Sequence, residues 1–570
     1  MMIPKNFILS AIFIFAMSNG FAQNLIPFDW KLTFNDGLNK EKSMPFSMLL
    51  SWERQGLYYQ KPSGVLQTSF FVPKQNPTDF NLEITLLASV DSVEINGHYI
   101  GGGFNTGFVW SISPVYKSKK FKVPSKYLKF NKENSIKIKC SNYSYTGGKN
   151  HNAVKLYRNV QPDSRIAISY KPENHVFENP ANISLNINIK PKSRGQIDLL
   201  IKNDFHKTVV KRKIKTVKGK QSYELDLSSE KLKPGFYTVT AILKNDGYLG
   251  ASSFFCVAPT KIEIAKNEPK GYFKYWQNAI EELKTVKPNF EIEKREDLCS
   301  ENRNGYIVKM KSVGNVDIYG YYFVPKKKGS YPTILHLPGY GYGFEHLNGF
   351  LQSKNEIVEL ALCVRGHGLS KESFKTDFPV PGFFGHGICD IDKTAYRQIF
   401  MDCLRAVDFL GSRQEVDQSK IGVMGSSQGG GLALMTAGLL PDRISACAYG
   451  DPFPTDMRNH IQVRTLIKDE VRSFLDYYGN SCDFEAGLRT LDFLDTKHFA
   501  KRIKASTLYI AGLVDDDCPP RLGFSAFNEI NSKKEYVVFP NDSHIGESNW
   551  STEMMNFFKK EFKFQTTEKQ

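Results

Sequence analysis

The stretch IGVMGSSQGGG, residues 421–431, decides the fold. An apolar run, Ile421–Met424, meets a glycine-rich turn. GGLALMTAGLL (430–440) then continues with apolar residues three and four apart. That order reads as strand, tight turn, helix. Gly425-Ser426-Ser427-Gln428-Gly429 fits G-x-S-x-G, a turn so sharp that side chains two before and two after the central serine would collide. The serine is forced outward, with its Oγ over the helix start. There the helix dipole and free N–H groups favour developing negative charge. Framing separates the two serines. Ser427 has glycine at both flanking positions, whereas Ser426 would need them at Met424 and Gln428.

Working outward, TILHL, EIVELAL, KIGVMG, ISACAYG, STLYIAG and EYVVF read as strands, and AYRQIFMDCLRAVDFL as a helix. This alternation from about residue 270 onward predicts an α/β domain with a mainly parallel sheet. A serine in such a turn needs a base and a group to orient it. On a sheet of this kind they follow on loops after later strands, acid first and histidine last. EYVVFPNDSHIGE ends a strand in a loop holding His544, and STLYIAGLVDDDCPP ends one in Asp515, Asp516 and Asp517. Spacing alone does not choose among the three aspartates. The loop TILHLPGYGYGFEH carries glycines at 339, 341 and 343, which let backbone N–H groups face an oxyanion. The backbone N–H of Gln428 would be the partner donor.

The chain has 570 residues, too many for one core. Lys5, the apolar run FILSAIFIFAM and the small residues Gly20 and Ala22 read as a secretory signal peptide over 1–22, too short to span a membrane. Residues 23–158 read as all-β, with Asn96-Gly97 as a two-residue hairpin turn. A second β module follows over 159–262, and KNEPKG (266–271) as a linker. The formal charge is +16, and residues 190–220 hold eleven Lys or Arg. TVVKRKIKTV within that segment reads as an edge strand guarded by lysines. A patch for an acidic polysaccharide is the sharper alternative. Nucleic acid is not expected as a partner of an exported chain. The nine cysteines lack zinc-site spacing. Cys140, Cys256, Cys363 and Cys447 lie in strand-like runs as small buried hydrophobes. One or two disulfides would suit export.

PGYGYG, VRGHG (364–368), GHGICD (385–390), YRQIFMDCLRAVDFL (396–410), VDQSKIGVMGSSQGGGLAL (416–434), DPF (451–453), GLVDDDCPP (512–520) and SHIGE together resemble the acetyl xylan esterase and cephalosporin C deacetylase family, carbohydrate esterase family seven. The resemblance covers roughly 270–565. It implies an α/β-hydrolase domain over 263–570, a triad of Ser427, His544 and Asp515, and oxyanion donors at the N–H groups of Tyr340 and Gln428. It implies no metal or organic cofactor. Two departures stand out: Arg365-Gly366-His367 where the family reads Arg-Gly-Gln, and His544-Ile545 where it reads His-Glu. Arg365 is expected as a structural ion-pair partner, and His367 as a pocket residue or a replacement for a buried amide. SVDSVEINGHYIGG resembles the jelly-roll sugar-binding domains beside glycoside hydrolases, and LKPGFYTVTAIL resembles an immunoglobulin-like module. The expected protein is secreted or periplasmic. It removes acetyl groups from an O-acylated polysaccharide or oligosaccharide. The family forms oligomers, and bulky β modules would stand against those contacts. The rival readings are another ester such as a uronate methyl ester, peptide cleavage, or an inactive glycan-binding protein.

Overall fold

Each apolar run read as a strand beyond residue 330 belongs to one nine-stranded sheet. The structure, a computed structural model, describes residues 24–566 except 36–40, 58–62, 74–78, 87, 106–117, 142–149, 151, 159–164, 191–194, 218–219, 245–246, 342, 345, 377–381 and 545–548. The expected signal peptide and Ile545 therefore lie outside the described residues. The sheet contains β1 (Glu291–Lys294), β2 (Arg303–Ser312), β3 (Val316–Pro325), β4 (Tyr331–His336), β5 (Val358–Cys363), β6 (Val416–Ser426), β7 (Ala446–Gly450), β8 (Ser506–Gly512) and β9 (Lys534–Phe539). Its order is β1-β2-β3-β5-β4-β6-β7-β8-β9. Pairing is antiparallel from β1 to β5 and parallel from β5 to β9. The chain order reverses at β4, so the ends of β4 and β6 lie side by side, with His336 opposite Met424. That is where open α/β sheets place their sites.

Both faces of the parallel part are covered, which is why its strands read as nearly unbroken apolar runs. On one face Leu335, Val423 and Cys447 join a core with α1 (Tyr272–Thr285), α2 (Ala395–Gly411) and α3 (Gln428–Leu439). On the other, Ile334, Met424 and Ala448 pack on Trp550, Phe557 and Phe558 of a C-terminal helix, Trp550–Phe562. Every residue of α3 is buried. Between β7 and β8 the chain inserts helices Met457–Val463, Thr465–Tyr477 and Phe484–Leu494. The Cys389–Cys482 disulfide ties this insertion to the segment after residue 383. Cys140, Cys256, Cys363 and Cys447 are buried and take no part in that disulfide.

The N-terminal half is β-structure with two further cores. One gathers residues from Leu25 to Leu156, between a seven-stranded and a three-stranded sheet. The other runs from Ile166 to Ala258, between a three-stranded and a five-stranded sheet. Asn96 (φ 51°) and Gly97 (φ 83°) turn the hairpin between Ser89–Ile95 and His98–Gly101. Thr208–Lys215 is an edge strand, with Lys211, Lys213 and Lys215 exposed. Among the described residues no helix is long and apolar enough to cross a membrane.

Candidate active site

Ser427 sits between β6 and α3 at φ 58° and ψ −126°, a conformation costly for any residue but glycine. Three backbone bonds hold it there. Its N–H donates to Gly450 O (3.0 Å), and its carbonyl accepts from Phe453 N–H (2.9 Å) and Gly431 N–H (3.1 Å). The glycine requirement is steric. A Cβ on Gly425 would lie 2.5 Å from the Gly429 backbone, and one on Gly429 would lie 2.4 Å from Leu337 O. Ser426 ends β6 opposite Gly450 and is exposed.

His544 lies on the loop after β9. Its Nε2 is 3.0 Å from Ser427 Oγ and its Nδ1 is 2.7 Å from Asp515 Oδ2. A carboxylate only accepts, so Nδ1 carries the proton and the serine hydroxyl can donate to Nε2. The other Asp515 oxygen accepts the N–H groups of Asp517 (2.7 Å) and Cys518 (2.9 Å). Burial opposes the Asp515 charge, yet His544 and these donors outweigh it and hold the carboxyl below its usual range. The three aspartates thus part ways. Asp515 reaches the imidazole. Asp516 is wholly buried in ion pairs with Arg54 and Arg464. Asp517 Oδ2 stands 3.5 Å from Nε2, on the serine side of the ring. Burial disfavours an imidazolium here, but the two carboxylates prevail and push the His544 pKa up to about 9.

Gln428 and the glycine loop that carries Tyr340 meet across the β4 and β6 ends. Gln428 opens α3, so its N–H has no partner within the helix. Its side chain is a buried hub. Oε1 accepts from Tyr396 (2.9 Å), and Nε2 donates to Gly339 O (3.1 Å) and His367 Nε2 (3.1 Å). His367 Nε2 also accepts from Gly341 N–H (3.0 Å), while Nδ1–H donates to Arg365 O (3.0 Å). Burial lowers the His367 pKa and keeps the ring neutral, as an acceptor at Nε2 must be. His367 therefore fastens the glycine loop to the elbow. The Tyr340 hydroxyl accepts from Phe384 N–H (3.0 Å), anchoring the same loop on its other side.

Arg365 is wholly buried and touches none of the Ser427–His544–Asp515 set. It pairs with Asp402, also wholly buried, and donates to Val313 O (3.1 Å). Arg365→Met strands the Asp402 charge, and stability should fall by about 3–5 kcal/mol, read from the urea midpoint. A midpoint unchanged from wild type would contradict this account.

Sequence reasoning missed Tyr396, the Gln428 side chain and Asp451. Asp451 is buried beside Asp515; burial and that neighbouring carboxylate raise its pKa well above the usual range, so it stays protonated. Tyr396 and Asp451 lie within quoted runs but have no spacing signature of their own. Among the described residues no group of three or more His, Cys, Asp or Glu side chains is placed to hold a metal ion.

The acetyl xylan esterase (AXE1) family profile matches residues 260–562, more than half of the chain. The chain belongs to the acetyl xylan esterase family. It is a serine carboxylic-ester hydrolase on that ground. Among curated relatives of this esterase, the acetyl esterase Axe7A of Xylanibacter ruminicola is 27% identical over 347 residues, 60% of this chain and 77% of that protein. Two solved acetyl xylan esterases are similar. The one from Paenibacillus sp. R4 is 30% identical, with TM-score 0.48, over 53% of this chain and 97% of its own. The one from Thermoanaerobacterium sp. JW/SL YS485 is 28% identical, with TM-score 0.48, over 53% and 98%.

Proposed function

We propose that this esterase removes acetyl groups from an O-acylated polysaccharide or its oligosaccharides through Ser427, His544 and Asp515. One observation carries the reading: a single imidazole lies 3.0 Å from Ser427 Oγ and 2.7 Å from Asp515 Oδ2. His544 takes the Ser427 proton as Oγ attacks the acyl carbonyl. The N–H groups of Tyr340 and Gln428 receive the developing oxyanion. The protonated imidazole gives its proton to the departing sugar hydroxyl, leaving acetyl-Ser427. A water deprotonated by His544 then releases acetate. Family membership and the relatives' names support acetate as the acyl group.

The same proposal places this catalytic unit at 263–570, behind a jelly-roll-like sandwich (23–158) and an immunoglobulin-like one (159–262). It places the protein outside the cytoplasm after loss of residues 1–22. The Cys389–Cys482 disulfide supports an oxidising compartment. The test is the small product released from acetylated xylan, other acetylated polysaccharides and a methyl-esterified uronan. Acetate is the expected product, and methanol without acetate would overturn the reading.

The pH profile follows from the charges around His544. Only neutral imidazole accepts the serine proton, so kcat/KM should rise with pH through the His544 ionisation, which lies near 9. Asp517→Asn removes a negative charge 3.5 Å from Nε2. The imidazolium loses support, and the acid limb should move to lower pH with its plateau kept. A limb that stays in place in p-nitrophenyl acetate profiles would refute this.

A further inference from the structure

Asp515 is gripped from outside its own domain. On one side Val514 N–H donates to Asp542 O (3.0 Å), two residues before His544. The carbonyl of the same residue, which begins the peptide plane leading into Asp515, accepts from Arg54 Nη2 (3.3 Å). On the other side the buried Asp516 carboxylate lies 2.7 Å from Arg54 Nη2 and accepts from Ser51 Oγ (3.2 Å). Arg464 adds an ion pair to that carboxylate and donates to Asp516 O (2.7 Å). Arg54 and Ser51 belong to the first β unit. Arg54 also reaches the second, donating to Thr238 Oγ1 (3.1 Å) and lying 4.3 Å over the Phe254 ring. Its own turn is braced by Gln55, whose Nε2 donates to the carbonyls of Ser47 (3.0 Å) and Ser51 (3.0 Å). One side chain, 12% exposed, thus joins three parts of the chain around one loop.

The loop is buried, yet a cavity of about 740 Å³ opens along one side of it, lined by Arg54, Phe254, Arg464, Asp515 and Arg521 among others. On that side directional bonds, rather than packed neighbours, fix its position. We propose that Arg54 is a positioning residue for ester hydrolysis. By holding Val514 and Asp516, it seats the intervening Asp515 carboxylate against His544. The N-terminal β unit is then part of the scaffold of the site rather than a tethered appendage. This rests on the Ser427–His544–Asp515 reading.

The test uses the full chain and p-nitrophenyl acetate. Arg54→Ala should lower kcat by roughly ten- to a hundred-fold, since a misplacement near 1 Å is that costly. KM should hold within about two-fold, because nothing that touches the ester has changed. Asp515 and Asp517 are the charged groups facing His544, and a loosened Asp515 supports its imidazolium less. The acid limb should therefore move to lower pH while the plateau drops, unlike Asp517→Asn, which keeps its plateau. Guanidinium ion at millimolar concentration should restore part of kcat in Arg54→Ala and none in wild type. A lower kcat with an unmoved limb means only a smaller folded fraction and overturns the proposal, as does wild-type kcat. If Arg54→Ala does not fold, Arg54→Lys decides: a displaced limb supports positioning, and a wild-type profile refutes it. Ser427→Ala run alongside separates the two failures. If it is inactive while the Arg54 variants are normal, only the positioning role fails. If it is active, the triad itself fails.

Discussion

Ser427→Ala is expected to lower kcat by roughly 10⁵- to 10⁶-fold, while Ser426→Ala keeps most of the wild-type rate. The contrast is steep because two adjacent hydroxyls have unlike surroundings. Ser427 alone lies 3.0 Å from the His544 Nε2 that can take its proton. Ser426 belongs to β6, in register with Gly450. The N–H groups of Tyr340 and Gln428, the proposed oxyanion donors, survive in Ser427→Ala, but without an attacking oxygen no acyl-enzyme forms. Acetate release by electrode or coupled assay checks both variants. Comparable loss in the two, or activity in Ser427→Ala, would exclude the elbow assignment.

Legibility in the sequence tracked how local each interaction is. Strands β4, β5, β7 and β8 and the Ile421–Met424 part of β6 are almost wholly buried, so their composition alone marks them, while β9, half-buried at the sheet edge, shows through its run of Tyr, Val and Phe. Strands β1 to β3 were not read. They mix lysines and tyrosines with apolar residues, and β2 starts at Arg303, a charge buried against Glu359 on β5. Only the distant partner makes that arginine an interior residue. The inserted helices after β7 escaped for a related reason: Asp492 in Phe484–Leu494 is a buried charge whose partner, Arg458, lies on the separate helix Met457–Val463. The edge strand at Thr208–Lys215 was legible because its lysines face solvent. At the site, Gly425 to Gly429 is a compact pattern with one steric meaning. Asp515, Asp516 and Asp517 are chemically identical letters. What separates them is a partner on β9's loop and Arg54, from the far N-terminal part of the chain. The same holds for His367 and Gln428, whose 3.1 Å contact joins a loop to the start of α3, distant in sequence.

Asp515→Asn should cost about 10⁴-fold in kcat with little change in folding. An asparagine fits the same space, but it can present an N–H₂ where the carboxylate accepted. His544 Nδ1 must then become the acceptor, and its proton moves to Nε2, where it faces Ser427 and blocks proton removal. The imidazolium also loses its counter-charge, so the transition state for attack is destabilised along with the tautomer. Asp515 further accepts the N–H groups of Asp517 and Cys518, and Asn Oδ1 can retain those bonds while its amide turns toward the imidazole. The loop should therefore persist, and circular dichroism should match wild type. Because the imidazolium is less supported, the acid limb should also move to lower pH, so the loss should be largest on the wild-type plateau and smaller below its midpoint near 9. Activity within ten-fold of wild type in Asp515→Asn, with a large loss in Asp517→Asn, would transfer the orienting role to Asp517 and rewrite the site.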